Sequence, residues 1–182
     1  MHRSVAFQGV LGAFSHEACL AALPDHSPLA CASFEEVFAA VGQGRCDLAL
    51  VPVENSIAGL VPDVTRLLPS SGLEVVREHT APIHLQLLGV RGASLADART
   101  AESHPMALGQ CGEALARLGL QPVQSFDTAG AAQAVAEAGD RSRAAVASRT
   151  AGALYGLDVL AENIEDRGDN RTRFLVLARP SA

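Results

Sequence analysis

Apolar and polar positions along this chain fall into short strand-like runs, each followed by a longer stretch with helical spacing. Ser4 to Gln8 reads as a strand. Gly9-Val10-Leu11-Gly12-Ala13-Phe14 is a glycine-bounded turn, after which Ser15 caps a helix to about Leu23. Pro28 to Ala32 is a second strand. Ser33-Phe34-Glu35-Glu36 is a capping box, and the helix it opens carries Phe34, Val37, Phe38 and Val41 on its apolar face before Gly42 to Gly44 end it. Asp47 to Val53 is almost continuously apolar, the pattern of a strand covered on both faces, and it runs into Glu54-Asn55-Ser56. Helical periodicity returns from Val61 to Leu68, and strand character from Leu73 to Thr80 and again from Ala81 to Val90.

The same alternation continues. Pro105 opens a helix at its first position, with Met106, Leu108, Leu115 and Leu118 supplying its buried face. Pro122 to Phe126 is a strand, Thr128 caps the alanine-rich helix Ala129 to Ala138, and Ala144 to Ala147 is a strand from which Ser148 caps a short helix. Val159 to Ile164 is a further strand, and Thr172 to Ala178 is the last. Repeated strand and capped-helix units predict parallel sheets with right-handed crossovers. The count predicts two α/β lobes, 1–80 together with 168–182, and 81–167, with the last strand returning to the first lobe. Two chain crossings of that kind predict a hinged ligand cleft between the lobes.

Composition narrows the chemistry. Hydrophobic residues make up 48% of the 182, which excludes disorder, and no apolar run is long enough to span a bilayer. The start, Met1-His2-Arg3-Ser4-Val5, has no signal-peptide apolar core, so a soluble cytoplasmic protein is expected. All 14 basic residues are arginine, which excludes a Schiff-base lysine, covalently anchored pyridoxal phosphate and a P-loop lysine. A formal charge of −6 and 4% aromatics argue against nucleic acid as a partner. Cys19, Cys31, Cys46 and Cys111 are widely spaced and read as reduced, buried small residues. The histidines lack metal-ligand spacing, and His79 and His84 read as partly buried strand residues, so no metal and no cofactor is expected.

Several polar clusters are candidates for binding. The glycine loop before Ser15 has the form of an anion cradle, though this spacing is common in ordinary loops. Glu54, Asn55 and Ser56 stand at the carboxyl end of a buried strand, where open α/β sheets bind ligands; a turn and helix cap would use the same residues. Ser103 and Gln110 lie seven positions apart and look the same way if one regular helix joins them. Asp169-Asn170-Arg171-Thr172-Arg173-Phe174 places two guanidinium groups around one hydroxyl just before the apolar run Leu175-Val176-Leu177-Ala178. Alternation along a strand puts Arg171 and Arg173 on one side and Thr172 on the other, and Arg173, nearer the strand, is the better placed to assist Thr172. Such a donor group can grip a carboxylate and offer a proton beside it; a solvated loop feeding an ordinary strand has the same sequence.

Taken together, these segments resemble the catalytic domain of prephenate dehydratase. The resemblance is carried by Gly9-x-x-Gly12-x-Phe14-Ser15, Val51-Pro52-Val53-Glu54-Asn55-Ser56, Ser103-His104-Pro105-x-Ala107-Leu108-x-Gln110-Cys111, Asp127-Thr128-Ala129 and Asn170-x-Thr172-Arg173-Phe174, in family order. Val10 and Ala13 depart from the family's usual proline and threonine. The resemblance implies a two-lobed fold like that of type II periplasmic binding proteins, and decarboxylative dehydration of prephenate to phenylpyruvate in phenylalanine biosynthesis. It assigns chemistry to Thr172, Arg173 and Glu54. Substrate binding would fall to Asn55, Ser56, Ser103, Gln110, Asn170, Phe174, Ser15 and Thr128, with Phe174 first a core residue and Ser15 and Thr128 first helix caps. It also implies a homodimer, and the ACT regulatory domain common in the family has no counterpart in this sequence. Arogenate dehydration and a non-catalytic carboxylate-binding module of the same fold are the alternatives.

Overall fold

The structure is a computed structural model that describes residues 3–180; residues 1–2 and 181–182 of the expected first lobe lie outside the described residues. The described chain forms two compact units, one made of 3–10, 14–83 and 169–180, the other of 11–13 and 84–168. The chain leaves the first unit after Ile83, because the strand expected to stop near Thr80 continues to Pro82.

In the first unit β1 (Ser4–Gln8) is followed by α1 (Phe14–Ala22), β2 (Ser27–Cys31), α2 (Phe34–Gly42), β3 (Leu48–Asn55), the short β4 (Gly59–Leu60) and α3 (Pro62–Leu67). The edge strand β5 (Glu74–Pro82) closes this run. In the second unit come β6 (Gln86–Val90), β7 (Thr100–Ser103), α4 (Pro105–Gly109), α5 (Gly112–Leu118) and β8 (Gln121–Gln124), then α6 (Thr128–Ala138), β9 (Arg143–Ala147), α7 (Arg149–Tyr155) and β10 (Leu157–Ala161). The last strand, β11 (Arg171–Ala178), belongs to the first unit.

The first sheet has the order β2-β1-β3-β11-β5, with β4 paired to β3. β1 runs parallel to β2 and β3, whereas β11 runs antiparallel to both β3 and β5. The second sheet, β10-β6-β9-β7-β8, is likewise mixed: β7 is parallel to β8 and β9, and β6 is antiparallel to β9 and β10. All-parallel sheets are therefore not what forms. Each unit inserts a strand from distant sequence between strands joined by helices, and such a strand has no crossover forcing its direction.

The first sheet is covered on both faces. Ala49, Val51, Leu175 and Leu177 pack with Val37 and Val41 of α2 on one face. Val5, Phe7, Leu50, Phe174 and Val176 pack with Ala18, Cys19 and Ala22 of α1 on the other. Alternation along β11 thus sorts Phe174 and Val176 from Leu175 and Leu177. Phe174 is 1% exposed, which places it in packed hydrocarbon rather than at a binding surface.

The starts of α2, α6 and α7 are each set by the side chain that accepts a first-turn N–H. Ser33 caps α2, accepting from the Glu36 N–H at 3.2 Å, while the Glu36 carboxylate accepts from the Ala32 N–H at 2.8 Å. Ser148 caps α7, accepting from the Ala151 N–H. At α6 the cap is Asp127, whose Oδ1 accepts from Gly130 at 2.6 Å; Thr128 is the first helical residue. Ser15 lies within the first turn of α1, which starts at Phe14. The helix expected from Pro105 onward is two short ones, broken at Gln110 and Cys111. Gly109 and Gly112, both poor helix formers, flank the break, and Met106 turns out to solvent at 55% exposure. Among the described residues no helix is long and apolar enough to cross a membrane.

Phe174→Ala should destabilise the chain by about 3–5 kcal/mol. Phe126→Ala, at a side chain 92% exposed, should leave stability within about 0.5 kcal/mol. Urea unfolding followed by circular dichroism checks both, and equal midpoints for the two variants would place Phe174 outside the core.

Candidate active site

The antiparallel pairing of β3 with β11 brings the most distant of the polar candidates together. Thr172 lies opposite Asn55 and Arg173 opposite Glu54, but Phe174 lies opposite Pro52, so Val53 is an extra residue on β3. That bulge decides which side chains meet. Without it every residue beyond Val53 would turn to the other face of the sheet. With it, Asn55 joins Thr172 on the face of Phe174, and Glu54 joins Arg173 on the other. Pro52 sits where its missing N–H is tolerated, beside the irregularity and beyond Ala49, where the ladder with β1 ends.

On the Thr172 face the groups are neutral and bonded to one another. Asn55 Nδ2 donates to Asn170 Oδ1 at 2.8 Å, to Thr172 Oγ1 at 2.9 Å and, at 3.2 Å, to the Arg171 carbonyl. Asn55 Oδ1 accepts from the N–H groups of Ile57 and Ala58 at 3.0 and 2.9 Å. Thr172 is 8% exposed and Asn170 is 2% exposed, so three polar side chains converge in a largely dry place. Such burial is tolerated because each is hydrogen-bonded. The Thr172 oxygen acts as acceptor toward Asn55, and that bond does not consume its proton.

On the opposite face the groups are charged. Arg173 reaches Glu54 at 3.4 Å and Glu78 of β5 at 3.5 Å, and all three side chains are about half exposed. Long, solvated pairs of this kind contribute little to stability and exchange readily. Arg173 is thus paired with carboxylates across the sheet from Thr172, rather than beside the hydroxyl as adjacency in sequence suggested.

Ser56 is structural. Its hydroxyl accepts from the Arg171 N–H at 2.9 Å and donates to the Asp169 carbonyl at 3.0 Å, while its own N–H donates to the Arg171 carbonyl. It therefore pins the loop that leads into β11. The Ile83 N–H, which donates to the Asn170 carbonyl, holds the same loop from the other side.

In the second unit Ser103 ends β7, fully buried, and its hydroxyl donates to the Val146 carbonyl at 2.6 Å. With its proton engaged there, it braces β7 against β9 and is no donor for an anion. Gln110 caps the C-terminus of α4, half-buried, and its carbonyl accepts from Asp166 at 2.7 Å. Because Ser103 belongs to β7 and Gln110 follows the last residue of α4, no single regular helix joins them and the two-turn argument that paired them does not apply. Gly12, at φ +91°, donates no side chain, but its carbonyl accepts from Ser148 at 2.6 Å. A Cβ there would lie 3.2 Å from the Ala151 Cα. The glycine is thus required by a close approach to α7, whatever else its loop does.

Glu165 carried no signal in the sequence reading. Its side chain is 4% exposed; Oε1 lies 2.7 Å from His84 Nδ1, and Oε2 accepts from the Leu85 N–H. His84 is therefore an oriented imidazole in the segment before β6, not a strand histidine. A partner 81 residues away cannot be read from local pattern. All four cysteines are free and buried. Burial pushes the thiols of Cys19 and Cys111 up to about 12, with Asp166 and Glu165 adding to the effect at Cys111, so neither is a ready nucleophile.

The prephenate dehydratase family model matches residues 5–182. A bifunctional N-acyl-homoserine lactone acylase/prephenate dehydratase of Komagataeibacter europaeus is 47% identical over 180 residues, covering 99% of this chain and 64% of its own length. Arogenate dehydratase/prephenate dehydratase 1 of Arabidopsis thaliana, a chloroplastic protein, is 43% identical over 96% of this chain and 45% of its own length. Among solved structures, the prephenate dehydratase of Arthrobacter aurescens in complex with L-Phe superposes with a TM-score of 0.87. It shows 29% identity over 98% of this chain and 61% of that one. The chain thus spans less than two thirds of the length of these relatives.

Ser103→Ala should cost about 1–3 kcal/mol of stability by leaving the Val146 carbonyl unpaired. Unfolding midpoints read that loss directly, and unchanged stability would mean that the hydroxyl serves elsewhere.

Proposed function

The chain belongs to the prephenate dehydratase family, a lyase family, and from that premise we propose that it catalyses decarboxylative dehydration of prephenate to phenylpyruvate. The observation that carries the reading is the buried Thr172 hydroxyl, held as an acceptor by Asn55 with its own proton uncommitted. In this reaction the electron pair of the bond to the ring carboxylate moves into the ring. Carbon dioxide departs, and the ring hydroxyl leaves with one added proton as water. The chain must lower the barrier to hydroxide departure and bind an anion without stabilising the carboxylate that is to be lost.

Thr172 is the proposed donor to the departing oxygen. A threonine hydroxyl is too weak an acid to surrender its proton outright, so it acts by a hydrogen bond that strengthens as charge develops on that oxygen, the proton finally coming from solvent. Arg173 lies on the other face of β11, paired with Glu54 and Glu78, so its proposed part is to keep that charge away from the carboxylate that is to be lost. Glu54 then has the task of holding the guanidinium in place, and Asn170 that of supporting Asn55. No cofactor, metal or covalent intermediate enters this scheme. We also propose that the chain works in the cytoplasm and, on family resemblance, as a homodimer.

Arogenate differs from prephenate in carrying an amine where prephenate has its keto oxygen, and the double name of the Arabidopsis relative supports it as an alternative substrate. A second reaction class, hydrolysis of the amide of N-acyl homoserine lactones, is favoured by the name of the Komagataeibacter relative and by the His84–Glu165 pair, an imidazole oriented as a base acting on water would be.

Purified protein incubated separately with prephenate, arogenate and an N-acyl homoserine lactone should give phenylpyruvate from the first. Phenylalanine from the second alone would make it an arogenate dehydratase, and homoserine lactone release alone would make it an acylase. Thr172→Ala should lower kcat for prephenate by about 100-fold or more with KM little changed. Steady-state kinetics on that variant showing near-normal turnover would remove Thr172 from the chemistry.

A further inference from the structure

We propose that Asn55 is a positioning residue that aims the Thr172 proton, and not a ligand of the substrate; this rests on the dehydratase reading above. The carboxamide has two acceptor lone pairs and two N–H donors. Ile57 and Ala58 occupy the oxygen, which fixes which way round the amide sits. Asn170 Oδ1 and Thr172 Oγ1 take the two hydrogens, with the Arg171 carbonyl sharing one of them. Nothing on Asn55 is left over for a substrate group.

The consequence falls on Thr172. An amide nitrogen cannot accept a hydrogen bond, so the threonine proton must point away from Asn55. On the other side of β11 the residue opposite Thr172 is Ala81, whose methyl offers no acceptor. The hydroxyl is thereby left with one outlet, toward whatever acceptor is presented to this end of the strand. In the proposed reaction that acceptor is the departing ring oxygen. The bulge at Val53 is part of the device, since it brings Asn55 to this face.

Replacing the donor by an acceptor should reverse the aim. In Asn55→Asp one carboxylate oxygen can still receive Ile57 and Ala58, while the other stands where Nδ2 was. Ionised, that oxygen only accepts, and Thr172 turns its proton inward. Protonated, it donates as the amide did. The titratable or charged side chains of the neighbouring elements are His79, Arg77 and Glu74 on β5, His16 and Glu17 on α1 and Asp169 before β11, with Arg171, Glu54, Arg173 and Glu78 on the opposite face. Arg77 donates to the Ala22 carbonyl, and burial lowers the pKa of both His16 and His79.

The wild-type chain and Asn55→Asp are compared for prephenate turnover between pH 5 and 8. At the alkaline end the variant should lose about 100-fold or more in kcat with KM within about threefold, and kcat should recover as pH falls, along a limb that the wild type lacks. A loss equal at every pH, or a rise in KM with kcat unchanged, overturns the proposal. Asn55→Ala provides a second route should the aspartate variant not fold. It should lower kcat in the wild type yet cost nothing further in a Thr172→Ala background, and independent, multiplying losses overturn the proposal. A wild-type chain inert toward both prephenate and arogenate overturns the dehydratase reading itself, whereas an active wild type with either contrary result overturns the aiming role alone.

Discussion

The register of β11 between β3 and β5 is the constraint on which the first unit depends. β11 is the last strand in the sequence, yet it lies inside the sheet with ladders on both sides. It supplies apolar side chains to both cores, Leu175 and Leu177 to one, Phe174 and Val176 to the other. A slip of one residue would exchange these sets and turn Thr172 toward the charged face. Two features oppose the slip: the packing of Phe174 and Val176 in one core and of Leu175 and Leu177 in the other, and the loop before the strand, which Ser56 and Ile83 hold through its backbone. Because β3 and β11 are more than 100 residues apart, the ordering cost of bringing them together is large, and the fold must recover it through burial.

Polar burial at the head of that strand works because it is complete. Asn170 and Thr172 are nearly excluded from water, and an unpaired amide or hydroxyl there would cost about 1–3 kcal/mol. Asn55 removes that cost for both with one side chain, and its own oxygen is satisfied by the turn that follows β3. A network satisfied in this way is also rigid, because moving any member leaves the others exposed without partners. The same rigidity that stabilises the loop holds the hydroxyl in a fixed direction.

Much of this could be read from the residues, and what could not has identifiable causes. The run from Leu48 to Val53 and that from Leu175 to Ala178 announced buried strands through unbroken apolar character. Ser33 and Ser148 announced helix starts through hydroxyls placed where N–H groups need acceptors. The bulge at Val53 left no trace, since a bulge is a property of the pairing and not of one strand. For that reason Asn55 and Glu54 were legible as a polar pair, while their division between two faces was not. Ser56 and Ser103 looked like ligand donors because a hydroxyl bonded to distant backbone has the same sequence as one facing a substrate. The pairing of Glu165 with His84 depends on contact across the whole second unit. Asp127 and Thr128 are adjacent and both good capping types, so only the structure shows that Asp127 is the cap of α6.

The separation of charge from neutral donors at this strand has a chemical logic for the proposed reaction. Loss of carbon dioxide is favoured when the departing carboxylate is poorly stabilised relative to the transition state, and a guanidinium beside it would stabilise the ground state instead. Departure of hydroxide needs a donor whose bond strengthens late, which a fixed neutral hydroxyl supplies without imposing a full charge. One strand carries both kinds of group at adjacent positions, and β alternation with a single bulge keeps them on opposite faces. Arg173 is further tempered by Glu54 and Glu78, which pair its charge on that face. On this argument the bulge is not incidental to the fold. Removing it would return Glu54 to the neutral face, where an ionised carboxylate would take the hydrogen bond that Thr172 is held to donate to the substrate.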